Sequence, residues 1–189
     1  ADSRRKVLAQ MSGIRIVEMV KENLRLSDIL TREAFENSII TNAAIGGSTN
    51  FIIHLLAIAG RIGVDLKLDD FDRLSSNIPF IANLQPSGKY FMEDLYYAGG
   101  LPAIMKELDK VLHKNAITVN GKTIRENYDV AECYNRDVIA TADKPFNPLS
   151  GVAILKGNLS ENGAVIKPSA ASLHLLKHSG KALVFDDID

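Results

Sequence analysis

The chain has 189 residues, and 46% of them are hydrophobic, which is enough to bury a core. No apolar run reaches the roughly 18 residues that a membrane-spanning helix needs. Its net charge is −1 with both signs interspersed, which excludes nucleic acid and membranes as partners and favours a cytoplasmic protein that binds small molecules or proteins. The single cysteine excludes an internal disulfide and any zinc or iron–sulfur site built from this chain's thiolates alone.

Three helices are predicted before the first strand. Over residues 3–24, apolar residues recur at three- and four-residue steps among charged ones, a pattern typical of an amphipathic helix. Thr31 is placed to cap a second helix, and Thr49 stands near the start of a third. Gly63 is expected to end the third helix, because glycine suits a left-handed cap.

The turn between the second and third helices is the candidate ligand site. Its residues are Gly46, Gly47, Ser48, Thr49 and Asn50. The first N–H groups of a helix lack intrahelical acceptors and carry the positive end of the helix dipole, and glycine lets an anion approach the backbone closely. We therefore predict a seat for a carboxylate or phosphate here. The alternative is that the two glycines form a helix C-cap and that Ser48 only caps the next helix.

A second anion contact is predicted further along the chain. Residues 78–84 form an apolar run of strand length, which we interpret as a buried parallel strand. The run leads through a Pro-Ser-Gly turn into a predicted helix at 90–98, and α/β proteins bind ligands where strands end in this way. Ser87 and Lys89 are therefore the candidate contacts. The alternative is a plain turn that carries an exposed lysine.

Further short elements surround these candidate sites. Residues 64–66 are predicted as a short strand, and 68–72 as a short helix with an acidic first turn. We interpret its acidic side chains as solvated helix charges, since the sequence lacks the other oxygen ligands and the glycine of a calcium loop. Residues 102–112 predict an amphipathic helix, and Asn120-Gly121 predicts a hairpin with a type I′ turn.

The composition becomes strand-like after a proline-rich connection at 144–150. Two strands are predicted at 152–159 and 164–167, separated by a turn at 161–163, and a further strand is predicted at 182–185. We therefore place a domain boundary within the connection.

The histidines and the cysteine give weaker signals. His54 lies near the apolar stripe of the third helix, and we interpret it as a core residue in preference to a base or metal ligand. His174 and His178 have the spacing of a helical metal pair, but the sequence offers no third ligand nearby. Cys133 is interpreted as a small core residue. The sequence thus predicts no catalytic residue and no metal ligand in this chain.

Several motifs follow one another in a distinctive order. They lie at residues 42–50, 54–57, 86–90, 92–94, 98–100, 155–159 and 161–163. In this order and at this spacing they resemble the dihydroxy-acid dehydratase and phosphogluconate dehydratase family, and the likeness covers essentially the whole chain. The Pro-Ser-Gly-Lys-Tyr motif looks most like the sugar-acid (aldonate) dehydratase branch.

The resemblance implies a hydro-lyase that dehydrates a sugar acid or a 2,3-dihydroxy acid to a 2-keto acid, with an iron–sulfur cluster and Mg²⁺ as Lewis acids in the full-length enzyme. The implied fold class is α/β. Residues 1–146 are then the helix-rich C-terminal part of an α/β N-terminal domain, and residues 147–189 begin a β-barrel C-terminal domain. The implied substrate contacts are the residues singled out above: Gly46, Gly47, Ser48, Thr49, Asn50, Ser87 and Lys89.

The family's Cys-Asp-Lys motif and second cysteine motif are expected upstream of Ala1, and its Thr-Asp-Gly-Arg motif downstream of Asp189. We therefore expect an internal segment that is inactive and binds no cluster or Mg²⁺ by itself. Its expected partners are a small hydroxy-acid substrate and the rest of its own polypeptide, within a homo-oligomer. The alternative from another class is a non-catalytic anion-binding or interaction module that uses the same helix N-terminus. The sequence leaves open which hydroxy acid is bound.

Overall fold

A computed structural model describes residues 3–187, which contain eight α-helices and a two-stranded antiparallel sheet. The helices are α1 (Ser3–Glu22), α2 (Leu26–Ile29), α3 (Arg32–Ile45), α4 (Asn50–Ile62), α5 (Leu68–Ser75), α6 (Met92–Tyr97), α7 (Gly100–Glu107) and α8 (Ile124–Tyr128). The strands are β1 (Ala153–Gly157) and β2 (Ser160–Ile166), and 3₁₀ turns follow at Pro168–Ala170 and Leu173–Leu175. This content confirms the predicted α/β class. Among residues 3–187, no helix has both the length and the apolar character needed to cross a membrane.

Helix α3 lies between the two hydrophobic cores that residues 3–187 form. Thr31 caps its N-terminus as predicted, since the Thr31 side chain accepts a hydrogen bond from the Ala34 N–H at 3.4 Å. Ile40 belongs to the larger core, together with the alanines of the last turns, whereas Ile39 belongs to the smaller one. Burial on two sides therefore holds α3, and with it the turn at its C-terminus, in place.

The larger core joins α3 to the extended segment at 78–84 and to helices α6, α7 and α8. The segment is buried as predicted, but the predicted parallel strand is wrong. Among the described residues it makes isolated bridges, two of them antiparallel to later loops, and no continuous ladder. Pro79 has no N–H to donate, and the Ile81 N–H donates at 2.9 Å to the carbonyl of Ala44 in α3. Helix α3 therefore accepts a hydrogen bond that a neighbouring strand would need.

The smaller core joins α3, α4 and α5 to the hairpin, and its buried residues are Ile39, Ile52, Phe71 and Val152. The turn of the hairpin lies at 158–159, so the predicted turn at 161–163 is wrong. The strand register leaves 161–163 opposite Lys156 alone, and these residues form a bulge within β2. The Ser160 hydroxyl closes the bulge by donating to the Gly163 carbonyl at 2.9 Å.

An ion-pair network holds α5 against α3. The Arg32 guanidinium lies 2.5 Å from the Asp70 carboxylate and 2.9 Å from the Glu36 carboxylate. Its hydrogen bond holds the pKa of the Asp70 carboxyl well below the ordinary value. Burial raises the pKa of Glu36, but hydrogen bonds from Arg32 and His113 outweigh burial and lower it overall. Asp70 is therefore a structural ion-pair partner, and the interpretation of this side chain as a solvated charge is wrong.

Three other predicted elements differ in the structure. Residues 64–66 form no strand, and the Asp65 carbonyl accepts a hydrogen bond from Arg32 in place of a strand partner. Residues 182–185 are exposed and irregular, so the predicted strand is wrong there as well. The predicted hairpin closes through an antiparallel bridge between Ile117 and Thr123, but its turn has a left-handed backbone at Gly121 alone, φ 78°, whereas a type I′ turn needs two such residues in succession.

Two predicted helices end earlier than expected. Helix α1 stops at Glu22 because Asn23 takes a left-handed conformation with φ 55°. Helix α7 stops at Glu107, short of Leu112, and the chain continues in turns that share the Leu108 carbonyl as acceptor. Apart from these ends, both helices form where the apolar periodicity predicts them.

The amphipathic pattern of α1 does not lead to burial within the described chain. Met19 is the buried residue of this helix, whereas Leu8 is 65% exposed and Val20 is 76% exposed. The apolar periodicity therefore predicts the helix correctly but gives no information on what its apolar residues contact.

Gly60 and Gly63 form a matched pair for testing the backbone of α4. No atom lies within 4 Å of the position that a Cβ would take on either residue, but Gly63 has φ 77° and Gly60 is helical. Gly60→Ala is expected to raise the free energy of unfolding by about 0.5–1 kcal/mol, because alanine loses less backbone entropy on folding. Gly63→Ala is expected to lower it by about 1 kcal/mol, because a Cβ is strained in the left-handed conformation. Urea unfolding measures both changes, and shifts of the same sign would contradict the prediction.

Candidate functional site

The turn at 46–50 joins α3 to α4. Gly46 ends α3 in a left-handed conformation with φ 58°, and the Gly47 N–H donates to the Asn42 carbonyl at 2.9 Å. This pair of features is the Schellman ending of a helix, for which glycine is favoured. The C-cap considered as an alternative is therefore the observed ending of α3. The hydrogen bonds of this cap go to the last carbonyls of α3 and do not involve the N–H groups of α4.

The N-terminus of α4 presents donors to solvent. Thr49 is the N-cap and makes no side-chain cap bond, while the Ser48 hydroxyl accepts from the Asn50 N–H at 3.2 Å. Within residues 3–187, the N–H groups of Ser48 and Thr49 have no hydrogen-bond acceptor. Helix α4 has 13 residues, and the positive end of its dipole lies at this turn. Free N–H groups and exposed polar side chains suit an anionic or hydroxyl-bearing ligand.

Ser169 connects the two stretches in which ligand contacts were predicted. Its hydroxyl oxygen lies 3.0 Å from the Ser87 hydroxyl oxygen and donates to the Gly151 carbonyl at 3.1 Å. The same oxygen lies 3.3 Å from the position that a Cβ on Gly46 would take. The structure thus brings Gly46 and Ser87 together, and a residue from the C-terminal part of the chain lies between them.

Gly151 packs directly on the backbone of Gly46. A Cβ on Gly151 would overlap the Gly46 Cα and would lie 3.0 Å from the Gly46 nitrogen and 3.2 Å from the Phe80 ring. The Gly151 N–H donates to the Ala43 carbonyl of α3 at 3.1 Å. Sequence reasoning missed both Gly151 and Ser169 as site residues, because no local pattern reports contacts between distant parts of a chain.

Lys89 lies in a different environment from the other predicted contacts. Its side chain is exposed, with the ammonium nitrogen 5.6 Å from the centroid of the Tyr90 ring. Its backbone N–H donates to the Asn83 side chain at 2.9 Å. Within residues 3–187, no hydrogen bond or ion pair joins Lys89 to the 46–50 turn. The local geometry is therefore that of a turn with an exposed lysine.

The described residues do not assemble a metal site. His54 is exposed on α4, so its interpretation as a core residue is wrong, and His174 and His178 are also exposed. Cys133 packs against the larger core, as predicted for a small apolar residue. Among residues 3–187, no three His, Cys, Asp or Glu side chains come close enough together to hold a metal ion. By themselves these residues do not fit the ligand set of an iron–sulfur cluster or of Mg²⁺.

Comparison with known proteins accounts for the order of the motifs. The family described as Dihydroxy-acid/6-phosphogluconate dehydratase N-terminal matches residues 1–127, and its C-terminal counterpart matches residues 137–189. The chain belongs to the dihydroxy-acid/6-phosphogluconate dehydratase family. The resemblance drawn from the motifs is thereby confirmed, whereas the domain boundary near residue 146 stays a prediction. Because Gly46 lies in the first matched region and Gly151 and Ser169 in the second, the candidate site includes residues from both.

Individual dehydratases of this family are similar over the whole chain. The chain is 57% identical to L-arabinonate dehydratase of Rhizobium leguminosarum bv. trifolii and 56% identical to L-arabonate dehydratase of Azospirillum brasilense, across 100% of the chain and 33% of each relative. It is 49% identical to dihydroxy-acid dehydratase of Ignicoccus hospitalis, across 98% of the chain and 34% of that relative. The chain therefore spans about a third of the length of the curated dehydratases that it matches.

Proposed function

We propose that this chain is part of a hydro-lyase that dehydrates a sugar acid, or another 2,3-dihydroxy acid, to a 2-keto acid. The observation that carries the proposal is the match of both family regions along one chain. Identity to the two arabinonate dehydratases, 57% and 56%, exceeds the 49% identity to the dihydroxy-acid dehydratase of Ignicoccus hospitalis. This difference favours a sugar acid as the substrate.

In this reaction the substrate loses a hydroxyl from one carbon and a proton from the next, and the enol that results tautomerises to the 2-keto acid. We propose that the complete enzyme uses an iron–sulfur cluster and Mg²⁺ as Lewis acids, held by residues outside this chain. This chain contains one cysteine, and its described residues offer no group of three metal ligands. Its part in the reaction is therefore to bind and orient the substrate.

The 46–50 turn is the proposed seat of the substrate's carboxylate. The free N–H groups of Ser48 and Thr49 are available as donors to a carboxylate, and the dipole of α4 favours negative charge at this end. The Ser48 hydroxyl and the Asn50 amide are exposed and add short polar groups beside them. The alternative of a non-catalytic anion-binding module uses the same turn, so the test must measure catalysis as well as stability.

Ser48→Ala in the complete enzyme is expected to lower kcat/KM by roughly ten- to a hundredfold, because a hydrogen bond to a charged group contributes about 1.5–3 kcal/mol. Loss of a helix cap alone would cost about 1 kcal/mol of stability and leave the kinetics nearly intact. Steady-state kinetics on an aldonate and thermal unfolding are measured on the same variant.

Thr31→Ala is the matched control for this test. Thr31 caps α3 through the same type of hydroxyl-to-amide bond, at the far end of that helix from the turn. We expect the control to lose stability and keep its kcat/KM. If Ser48→Ala behaves like the control, the turn is a helix cap and does not bind the substrate.

A further inference from the structure

We infer that Ser169 orients the Ser87 hydroxyl so that Ser87 accepts a hydrogen bond from a hydroxyl group of a sugar-acid substrate. The inference rests on the proposed function and adds a positioning residue to the same site. It also assigns Ser87 a role different from the anion contact predicted from the sequence.

The direction of the hydrogen bonds follows from counting protons. A serine hydroxyl has one proton to donate, and a backbone carbonyl can only accept. The Ser169 hydroxyl donates its proton to the Gly151 carbonyl at 3.1 Å. At the 3.0 Å contact between the two serine oxygens, Ser87 must therefore be the donor. The hydroxyl chain runs in one direction, from Ser87 through Ser169 to Gly151.

The Ser87 oxygen is left with lone pairs to offer to a ligand. A carboxylate or phosphate oxygen is an acceptor without a proton, so it gains no hydrogen bond from Ser87 in this state. A substrate hydroxyl can donate to the Ser87 oxygen. Sugar acids carry hydroxyls beyond the reacting pair, whereas a 2,3-dihydroxy acid with an alkyl chain does not. Ser87 is thus suited to distinguish these two classes of substrate.

The chain of hydroxyls ends on a buried backbone group beside the proposed carboxylate seat. Gly151 is buried, is in contact with the Gly46 backbone, and donates its own N–H to the Ala43 carbonyl at 3.1 Å. Ser169 is half-buried, and its oxygen lies 3.3 Å from the position of a Cβ on Gly46. Since the Ser87 oxygen lies 3.0 Å from the Ser169 oxygen, a substrate whose carboxylate lies at the 46–50 turn has the Ser87 acceptor nearby.

Steady-state kinetics of the complete enzyme test the inference. The two substrates compared are a five-carbon aldonate and an alkyl 2,3-dihydroxy acid. Ser169→Ala is expected to raise KM for the aldonate about three- to tenfold, because the Ser87 proton is no longer held and one neutral hydrogen bond is weakened. The kcat for both substrates and KM for the dihydroxy acid are expected to change less than about twofold, since the lost interaction is uniform binding.

Two further variants separate positioning from a general structural effect. Ser87→Ala is expected to reproduce the selective rise in aldonate KM, and the Ser87→Ala/Ser169→Ala double variant is expected to show no additional rise, because both residues act through one hydrogen bond. Ser160→Ala is the control. It removes a serine-to-carbonyl bond of 2.9 Å within β2, and we expect it to leave both KM values unchanged.

An unchanged aldonate KM in Ser169→Ala, an equal rise for both substrates, or additive effects in the double variant would overturn the inference and leave the proposed function standing. A parent enzyme that dehydrates neither substrate would overturn the proposed function and the inference with it. If Ser169→Ala does not fold, Ser87→Ala decides the question, because the inference requires its aldonate KM to rise selectively.

Discussion

Replacing Asn37 with leucine is expected to lower the free energy of unfolding by about 2 to 5 kcal/mol. Asn37 is 2% exposed, and its side chain pairs with both backbone groups of His113. Its amide nitrogen donates to the His113 carbonyl at 3.0 Å, and its amide oxygen accepts from the His113 N–H at 2.7 Å. Leucine has the same number and branching of side-chain heavy atoms but no polar ones. The His113 N–H would therefore lose its acceptor, and the His113 carbonyl would keep only the 3.3 Å bond from the Ala116 N–H.

Thermal unfolding followed by circular dichroism measures this effect, and we expect the midpoint to fall by roughly 5 to 15 °C. Asn115→Leu is the matched control, because it makes the same substitution two residues after His113 at an exposed position. The free energy of unfolding of the control is expected to stay within about 0.5 kcal/mol of the parent's value. Similar midpoints for the two variants would show that the Asn37 bonds do not stabilise the fold.

Gly151→Ala is expected to destabilise the chain by about 1 to 3 kcal/mol and to lower kcat/KM of the complete enzyme about ten- to a hundredfold. The new methyl group would overlap the Cα of Gly46, and a backbone atom cannot rotate away as a flexible side chain can. The strain would displace both the Gly46 turn and the Gly151 carbonyl to which Ser169 donates. Stability and substrate binding are therefore expected to decrease together.

Gly157→Ala provides the comparison for this variant. Gly157 lies in β1, and no atom is within 4 Å of the position of its Cβ. We expect the free energy of unfolding to change by less than about 0.5 kcal/mol and kcat/KM to stay the same. Urea unfolding and assays with an aldonate are run on both variants. A Gly151→Ala enzyme with the parent's stability would mean that the contact with Gly46 is not tight.

Sequence reasoning succeeded where the determinants of structure are local. The cap at Thr31 and the left-handed end at Gly63 were predicted, and the C-cap at Gly46 was named as an alternative, because each depends on the chemistry of one residue and its neighbours. The same holds for the 46–50 turn and for the short helix α5. These elements need no distant partner to take their conformation.

It failed where a distant partner decides between two local possibilities. The Glu-Asn-Gly sequence at 161–163 suits a turn or a bulge equally well, and the register with β1 selects the bulge. The apolar run at 78–84 indicates burial but not the partner, and α3 is the element that takes the hydrogen bond of Ile81. Ser169 went unrecognised for the same reason, since its neighbours Ser87 and Gly151 come from other parts of the chain.

The position of α3 between two cores also has a consequence for synthesis on the ribosome. The helix is translated before both of its partners, so Asn37 must wait for His113, and the Ala43 carbonyl must wait for the N–H of Gly151. Domains of many proteins fold in the order in which they are translated. Here the first family region cannot finish its packing until the start of the second has left the ribosome, so the two regions mature together during translation.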